Sequence, residues 1–134
     1  AKAALWRKLK KLGVYQVQDS VCVLPFSEKN MEDFQWISAE VIEIGGEASV
    51  WSINALSSET ERDLRDYFIN QTNIQYQKMM IDCAEITDEK ELRKLWTLFH
   101  RIKAQDYLKS PLSVEVKAVF ENRMEELANM EIKK

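Results

Sequence analysis

Residues 1–24, AKAALWRKLKKLGVYQVQDSVCVL, contain the strongest local structural signals in the chain. The first thirteen carry five basic side chains and no acidic one, and their leucines recur at the spacing of an amphipathic helix. Gly13 favours the left-handed conformation in which helices commonly end. Residues 14–17 and 21–24 are β-prone and flank Gln18-Asp19-Ser20, so they predict a hairpin.

The predicted first helix has two chemically distinct faces. Leucine and tryptophan side chains lie on one arc, and the opposite arc carries the cations Arg7, Lys8, Lys10 and Lys11. Because the rest of the chain has 14 basic and 22 acidic side chains, positive charge is concentrated at the amino end. We therefore expect these four residues to bind DNA phosphates or a small anion. The alternative is an ordinary solvated face of a surface helix.

Two further elements are predicted after the hairpin. Residues 29–44 repeat apolar side chains at helical spacing, and Gly45-Gly46 supplies a stop signal for that helix. Residues 47–55 include Val50, Trp51 and Ile53, which favour an extended conformation. They predict a third strand.

The remaining signals are all helical. Helices are expected over 58–80, over 88–107 and from Ser110 onward. Ser58 and Glu61 have the spacing of a capping box at the start of the first of these helices. The last two helices are expected to pack against each other as an antiparallel pair.

The order of elements predicts an α+β fold. It resembles a ferredoxin-like unit that lacks its first strand, with an antiparallel sheet packed against helices and a carboxy-terminal segment of about three helices. We expect a single domain over 1–134, with the partial α-β-β-α-β unit in 1–56 and the helical extension in 57–134. The missing strand would leave backbone groups unpaired, which predicts further residues upstream of Ala1.

Composition excludes several classes of protein. The 134 residues are 46% hydrophobic and 31% charged, and no apolar run approaches the roughly 20 residues of a membrane span. No signal-peptide pattern opens the sequence, so we expect a cytoplasmic protein without a membrane partner. Cys22, Cys83 and His100 are far apart in sequence and form no ligand motif, so neither a metal nor another cofactor is expected.

Several stretches of the chain resemble the amino-terminal domain of ChrB chromate-resistance proteins. The resemblance is carried by residues 4–13, 18–25, 33–37, 40–42, 45–48 and 104–108. It implies a regulatory protein of a chromate-resistance operon that binds operator DNA and responds to the oxyanion. The first helix and hairpin are also similar to the ferredoxin-like unit of PaaX-type repressors and of CRISPR adaptation endonucleases.

Three functions follow as hypotheses. The first is a non-enzymatic regulatory domain whose partners are DNA, chromate or another oxyanion. The second is a non-catalytic homodimerisation module, in which a second subunit covers Trp36, a residue that faces away from the apolar stripe of its helix. The alternative, which we expect, is that the carboxy-terminal helices cover Trp36 within one chain. The third is a metal-dependent nuclease. That hypothesis is the weakest, because the aspartate of the CRISPR relatives ends the strand that is missing here and Asp19 lies in the predicted hairpin turn.

Overall fold

A computed structural model describes residues 2–132 of the chain. Within these residues the fold is α+β and mostly helical, as expected. Its elements are α1 (Lys2–Leu12), β1 (Tyr15–Gln18), β2 (Val21–Val23), α2 (Glu28–Glu43), α3 (Ser58–Glu85), α4 (Glu89–Ala104) and α5 (Leu112–Ile132). The chain divides into two compact units, Ala1–Leu64 and Arg65–Lys134, and the division falls inside α3.

The first unit opens with the predicted helix and hairpin. The Gly13 N–H donates to the carbonyl oxygen of Lys10 at 3.0 Å, and the φ of Gly13 is +76°, so this glycine ends α1 in the left-handed conformation. β1 and β2 pair in antiparallel orientation. The paired residues are Tyr15 with Val23, Gln16 with Cys22, and Gln18 with Val21, with an irregularity between Gln16 and Gln18.

The second helix of this unit has well-formed ends. The Ser27 hydroxyl accepts the Asn30 N–H at 3.0 Å, which satisfies one backbone donor of the first turn of α2. The buried Asn30 amide donates to the carbonyl oxygen of Pro25 at 2.9 Å and so fixes the entry of the chain. At the other end Gly45 has a φ of +91° and donates its N–H to Ile42 at 3.0 Å. The predicted helix and its glycine stop are confirmed.

The predicted third strand is wrong. Residues 47–55 form no strand in the described part of the chain, and the sheet there consists of β1 and β2 alone. Trp51 is 77% exposed and Ile53 is 71% exposed. A β-prone sequence becomes a strand only when a neighbour completes its hydrogen bonds, and no neighbour pairs with this segment. The described residues thus contain a two-stranded sheet, and not the α-β-β-α-β unit expected over 1–56.

α3 begins at Ser58, as predicted, but its capping residue differs from the prediction. The Ser57 hydroxyl, and not that of Ser58, accepts the Thr60 N–H at 3.1 Å. The same hydroxyl donates to the Thr60 hydroxyl at 2.9 Å. Two adjacent serines can both cap a helix, and the threonine three residues beyond Ser57 selects the earlier one. The cap is therefore displaced by one residue.

The second unit contains the main hydrophobic core. Its buried residues are Tyr76, Met79, Cys83, Leu92, Phe99, Ile102, Val116, Phe120 and Leu127. The Trp96 ring stacks on Phe99 with centroids 5.2 Å apart and meets the Phe120 ring edge-on at 5.1 Å. These contacts pack α4 against α5, as the sequence predicts. No helix among the described residues has the length and apolar content to cross a membrane.

Candidate functional site

The basic face of α1 lies at the surface of the first unit. Its exposed cations are Arg7, Lys8, Lys10 and Lys11. The half-buried leucines on the other side are Leu5, Leu9 and Leu12. The helix therefore has the two faces that its sequence predicts, with apolar packing on one side and positive charge on the other.

Lys8 is engaged in a salt bridge with Glu40. Its Nζ lies 2.7 Å from both Oε1 and Oε2 of Glu40, so the ammonium group bonds across the whole carboxylate and ties α1 to α2. Both side chains stay partly exposed, and ion pairs of this kind contribute about 0–1 kcal/mol. The charge of Lys8 is therefore largely neutralised at its own position, while the pair remains open to a competing anion.

Arg7 and Lys10 have different surroundings. The Lys10 ammonium lies 5.3 Å from the centroid of the Trp6 ring, one turn earlier, in a cation–π contact that keeps its charge. The Arg7 guanidinium is exposed, and no residue among 2–132 forms a hydrogen bond or an ion pair with it. Arg7 is thus the group on α1 whose donors are most available to an anion.

A buried polar cluster lies at the connection between α4 and α5. The Tyr76 hydroxyl donates to Asp106 Oδ2 at 3.0 Å, and the Ser110 N–H donates to Oδ1 and Oδ2 at 2.9 and 3.0 Å. The Ser110 hydroxyl donates to Asn73 Oδ1 and accepts the Leu112 N–H at 3.2 Å, which caps α5. Burial, and then the hydrogen bond to Asp106, raise the pKa of Tyr76 far above its ordinary value.

This cluster borders a shallow cavity of about 280 Å³. The cavity is lined by Lys103, Asp106, Lys109 and Ser113. The Asp106 carboxylate already accepts hydrogen bonds from Tyr76 and Ser110, so its acceptor capacity is used to hold the α4–α5 connection. Tyr76, Asp106 and Ser110 can be buried together because they are hydrogen-bonded to one another, which is consistent with a structural role.

The residues considered for metal chemistry do not come together. No group of three or more His, Cys, Asp or Glu side chains within residues 2–132 is placed to hold a metal ion. Asp19 lies in the turn of the hairpin, as predicted. Cys83 is fully buried, and this burial raises the pKa of its thiol.

α4 is a second basic helix; the sequence predicts this helix over 88–107, but its positive charge is not part of that prediction. It carries five basic and two acidic side chains, and Lys90, Lys94 and Arg101 on it are exposed. The signal that could have found its basic face is the same as for α1, a run with several cations on one side of an amphipathic pattern. The apolar stripe of α4 is the more conspicuous pattern in the sequence. It is formed by Leu92, Leu95, Trp96 and Phe99, which pack in or against the core.

The first unit also exposes large apolar side chains. Trp36 projects from α2 away from the apolar stripe, as predicted, but it is 66% exposed, so the expectation that other helices of the chain cover it is wrong for the described residues. The other exposed members are Val17, Val21, Phe26, Ile42, Ile44, Trp51, Ile53 and Leu56. Trp51, Ile53 and Leu56 lie in or directly after the segment 47–55, which joins α2 to α3 and has no regular secondary structure.

Comparison with known proteins gives one result that bears on function. The family model described as "Protein ChrB, N-terminal" matches residues 2–96, which include α1, the hairpin, α2, α3 and part of α4. No curated protein and no solved structure matches the chain significantly. Because the family model covers well over half of the sequence, the chain belongs to the ChrB amino-terminal family, which is linked to chromate resistance.

Proposed function

We propose that this chain is a regulatory domain of a chromate-resistance protein and that it contacts DNA through the basic face of α1. The observation that carries the proposal is the exposed Arg7 guanidinium, without a partner among residues 2–132, on a helix with no acidic residue. Guanidinium and ammonium groups in this setting bind phosphate oxygens through charge-assisted hydrogen bonds. Family membership supports a role in chromate resistance.

The charge of the remaining helices supports a localised contact. α2 carries one basic and five acidic side chains, and α5 carries two basic and five acidic ones. Such helices repel a phosphate backbone, so DNA is expected to approach through a net-positive helix such as α1. Phosphate contacts orient a protein on the duplex but do not read its sequence. We therefore expect this chain alone to bind different duplexes with similar affinity.

A gel-shift titration tests the DNA contact. The variant R7Q/K8Q/K10Q/K11Q removes the basic face, and K29Q/R62Q/K78Q/K117Q removes the same number of Arg and Lys charges from α2, α3 and α5. At low salt the first variant should bind a mixed-sequence duplex at least about tenfold more weakly than the second. Equal weakening of both variants would show that net charge alone governs binding, and the proposed surface would be wrong.

The same face can serve for oxyanion sensing. Chromate is a dianion, and several cations on two turns of one helix offer it matching charge. Calorimetric titration with chromate and with sulfate separates recognition from charge attraction, because the two ions are similar in size and charge. A regulatory sensor should give a larger binding heat with chromate. Equal heats would remove the sensing part of the proposal.

A second candidate function is assembly of a homodimer without catalysis. The observation that favours it is the exposure of Trp36, Trp51 and Ile53, since aromatic and large aliphatic side chains are typical of the centre of protein interfaces. A dimer would also place two basic helices on one DNA duplex. This candidate is thus compatible with regulation and adds a way to increase affinity.

We further propose that the chain is not an enzyme. The buried acidic and hydroxyl groups of the second unit are hydrogen-bonded to one another around Asp106, which supports a structural role for them. A nuclease assay with magnesium or manganese tests this proposal. Cleavage that persists in a highly purified preparation and requires the metal would overturn it, and would favour the nuclease hypothesis.

A further inference from the structure

Net charge is segregated among the helices of the described chain. α1 has five basic and no acidic side chains, and α4 has five basic and two acidic side chains. The other helices have more acidic than basic side chains. α2 has one basic and five acidic side chains, α3 has three basic and six acidic ones, and α5 has two basic and five acidic ones. Within residues 2–132, α1 and α4 are therefore the helices with net positive charge, and α4 belongs to the second unit.

The cations of α4 form a stripe. Lys90, Lys94 and Arg101 fall within about 40° of one another around the helix axis, because they are spaced by four and then seven residues. All three side chains are exposed. The apolar stripe with Leu92 and Phe99 lies on the opposite side and is buried in the core. We name these three cations the α4 stripe.

The α4 stripe has no charge partners within its unit. No ion pair involving Lys90, Lys94 or Arg101 occurs among residues 2–132. By contrast, Arg93 on the adjacent side bonds to Glu89 at 2.8 Å, as solvated helix faces commonly do. Like charges four residues apart, as at Lys90 and Lys94, destabilise a helix by a few tenths of a kcal/mol. The stripe therefore concentrates positive charge at a small cost to helix stability.

We propose that the α4 stripe is a second phosphate-contacting surface for a nucleic-acid backbone. The proposal rests on the proposed function, and it extends DNA contact from α1 in the first unit to α4 in the second. A polyanion is the partner that fits three separated cations that form no ion pair among the described residues. Each side chain would contact its own phosphate, so the surface adds affinity without adding sequence specificity.

The spacing of the stripe suits such a backbone. Eleven residues separate Lys90 from Arg101, which corresponds to about 16 Å along the helix. One DNA strand presents a phosphate about every 3.4 Å along the duplex axis, so the stripe spans about five phosphates. Flexible lysine and arginine side chains can select individual phosphates within that span without requiring an exact register.

The composition of the stripe favours a nucleic acid over a protein partner. Between its cations lies Thr97, whose hydroxyl donates to the Arg93 carbonyl oxygen at 3.2 Å and is thus turned toward its own helix. The aromatic side chains of α4, Trp96 and Phe99, pack in the core and are not on this side. Protein interfaces are enriched in exposed aromatic residues, whereas phosphate-binding surfaces need exposed cations.

The test measures, by fluorescence anisotropy, how the binding of the parent chain and of two variants to a mixed-sequence 30-base-pair duplex depends on salt. K90Q/K94Q/R101Q removes the stripe. R62Q/K78Q/K117Q is its control and removes one Arg and two Lys from the net-negative helices α3 and α5. The stripe variant should lower the slope of log affinity against log salt by up to about 2.7, and the control should leave the slope unchanged. Circular dichroism checks that both variants fold as the parent does.

A charge-preserving variant keeps the test independent of helix stability. K90R/K94R should retain the parent slope, because it keeps both charges. A stripe variant that binds like its control would overturn the inference. If the α1 variant R7Q/K8Q/K10Q/K11Q still weakens binding in that case, the proposed function stands without the second surface. If the unaltered chain does not bind the duplex at all, both the proposed function and this inference fail.

Discussion

At the scale of single residues, the availability of each α1 cation depends on its nearest neighbours. Lys8 bonds to Glu40, Lys10 lies over the Trp6 ring, and Arg7 has no ion pair or hydrogen bond within residues 2–132. The sequence places all of these cations on one face but cannot show the Lys8–Glu40 bond, which joins residues 32 positions apart. The cations of α1 therefore differ in how available they are to bind an anion.

Glu40→Gln should tighten DNA binding. The change removes a carboxylate beside the basic face and releases the Lys8 ammonium for a phosphate. We expect affinity at low salt to rise several-fold and the salt slope to steepen by up to about 0.9, the effect of one added phosphate contact. Glu43→Gln is the control, because it removes an equal charge from α2. Identical effects of the two substitutions, measured by anisotropy, would contradict the assigned role of Glu40.

Tyr76→Phe should destabilise the second unit by about 1–3 kcal/mol, because Asp106 loses a buried hydrogen-bond donor. The raised pKa of Tyr76 in the folded state adds a pH dependence. Below about pH 10 both states are protonated and the stabilisation is complete; above it the unfolded chain ionises first, so stability falls.

Urea denaturation at pH 7 and pH 10.5 measures both effects of this substitution. The stability difference between the parent and Tyr76→Phe should shrink at the higher pH. Tyr67→Phe is the control, since Tyr67 is far more exposed than Tyr76. A difference that stays constant over this pH range would show that the Tyr76 hydroxyl is not held in its protonated form by the fold.

At the scale of secondary-structure elements, local patterns predicted most of the described fold. The α1–Gly13 stop, the hairpin around Asp19 and the glycine that ends α2 all depend on neighbours within a few residues, and they are confirmed. The third strand failed because a strand depends on a partner elsewhere in the chain. Residues 47–55 have the propensity but lack the pairing.

The parts of the candidate site that depend on a single helix could also be predicted from the sequence. Helical spacing identifies the exposed face of α1 from the sequence alone, since that face depends on one element. The Asp106 cluster joins α3 with the α4–α5 connection, and no sequence spacing reveals it. The α4 stripe lies between these cases, because its spacing is visible in the sequence once the helix boundaries are known.

At the scale of the whole molecule, the chain combines separated charge with exposed apolar surface. If the second candidate function is correct, the exposed residues Trp51 and Ile53 in segment 47–55 mediate self-association. Sedimentation equilibrium over about 1–100 µM should then show a dimer that W51S/I53S converts to a monomer. The control I74S/I81S alters two exposed isoleucines of α3. A monomer over the entire range, or equal effects of both variants, would exclude the homodimer role of residues 47–55.

The central claim is that α1 contacts phosphates, and the salt dependence of DNA binding tests it most directly. For R7Q/K8Q/K10Q/K11Q the slope of log affinity against log salt should be less steep than the parent slope by up to about 3.6, the value for four phosphate contacts. The matched variant K29Q/R62Q/K78Q/K117Q should keep the parent slope. An unchanged slope for the α1 variant would contradict the account.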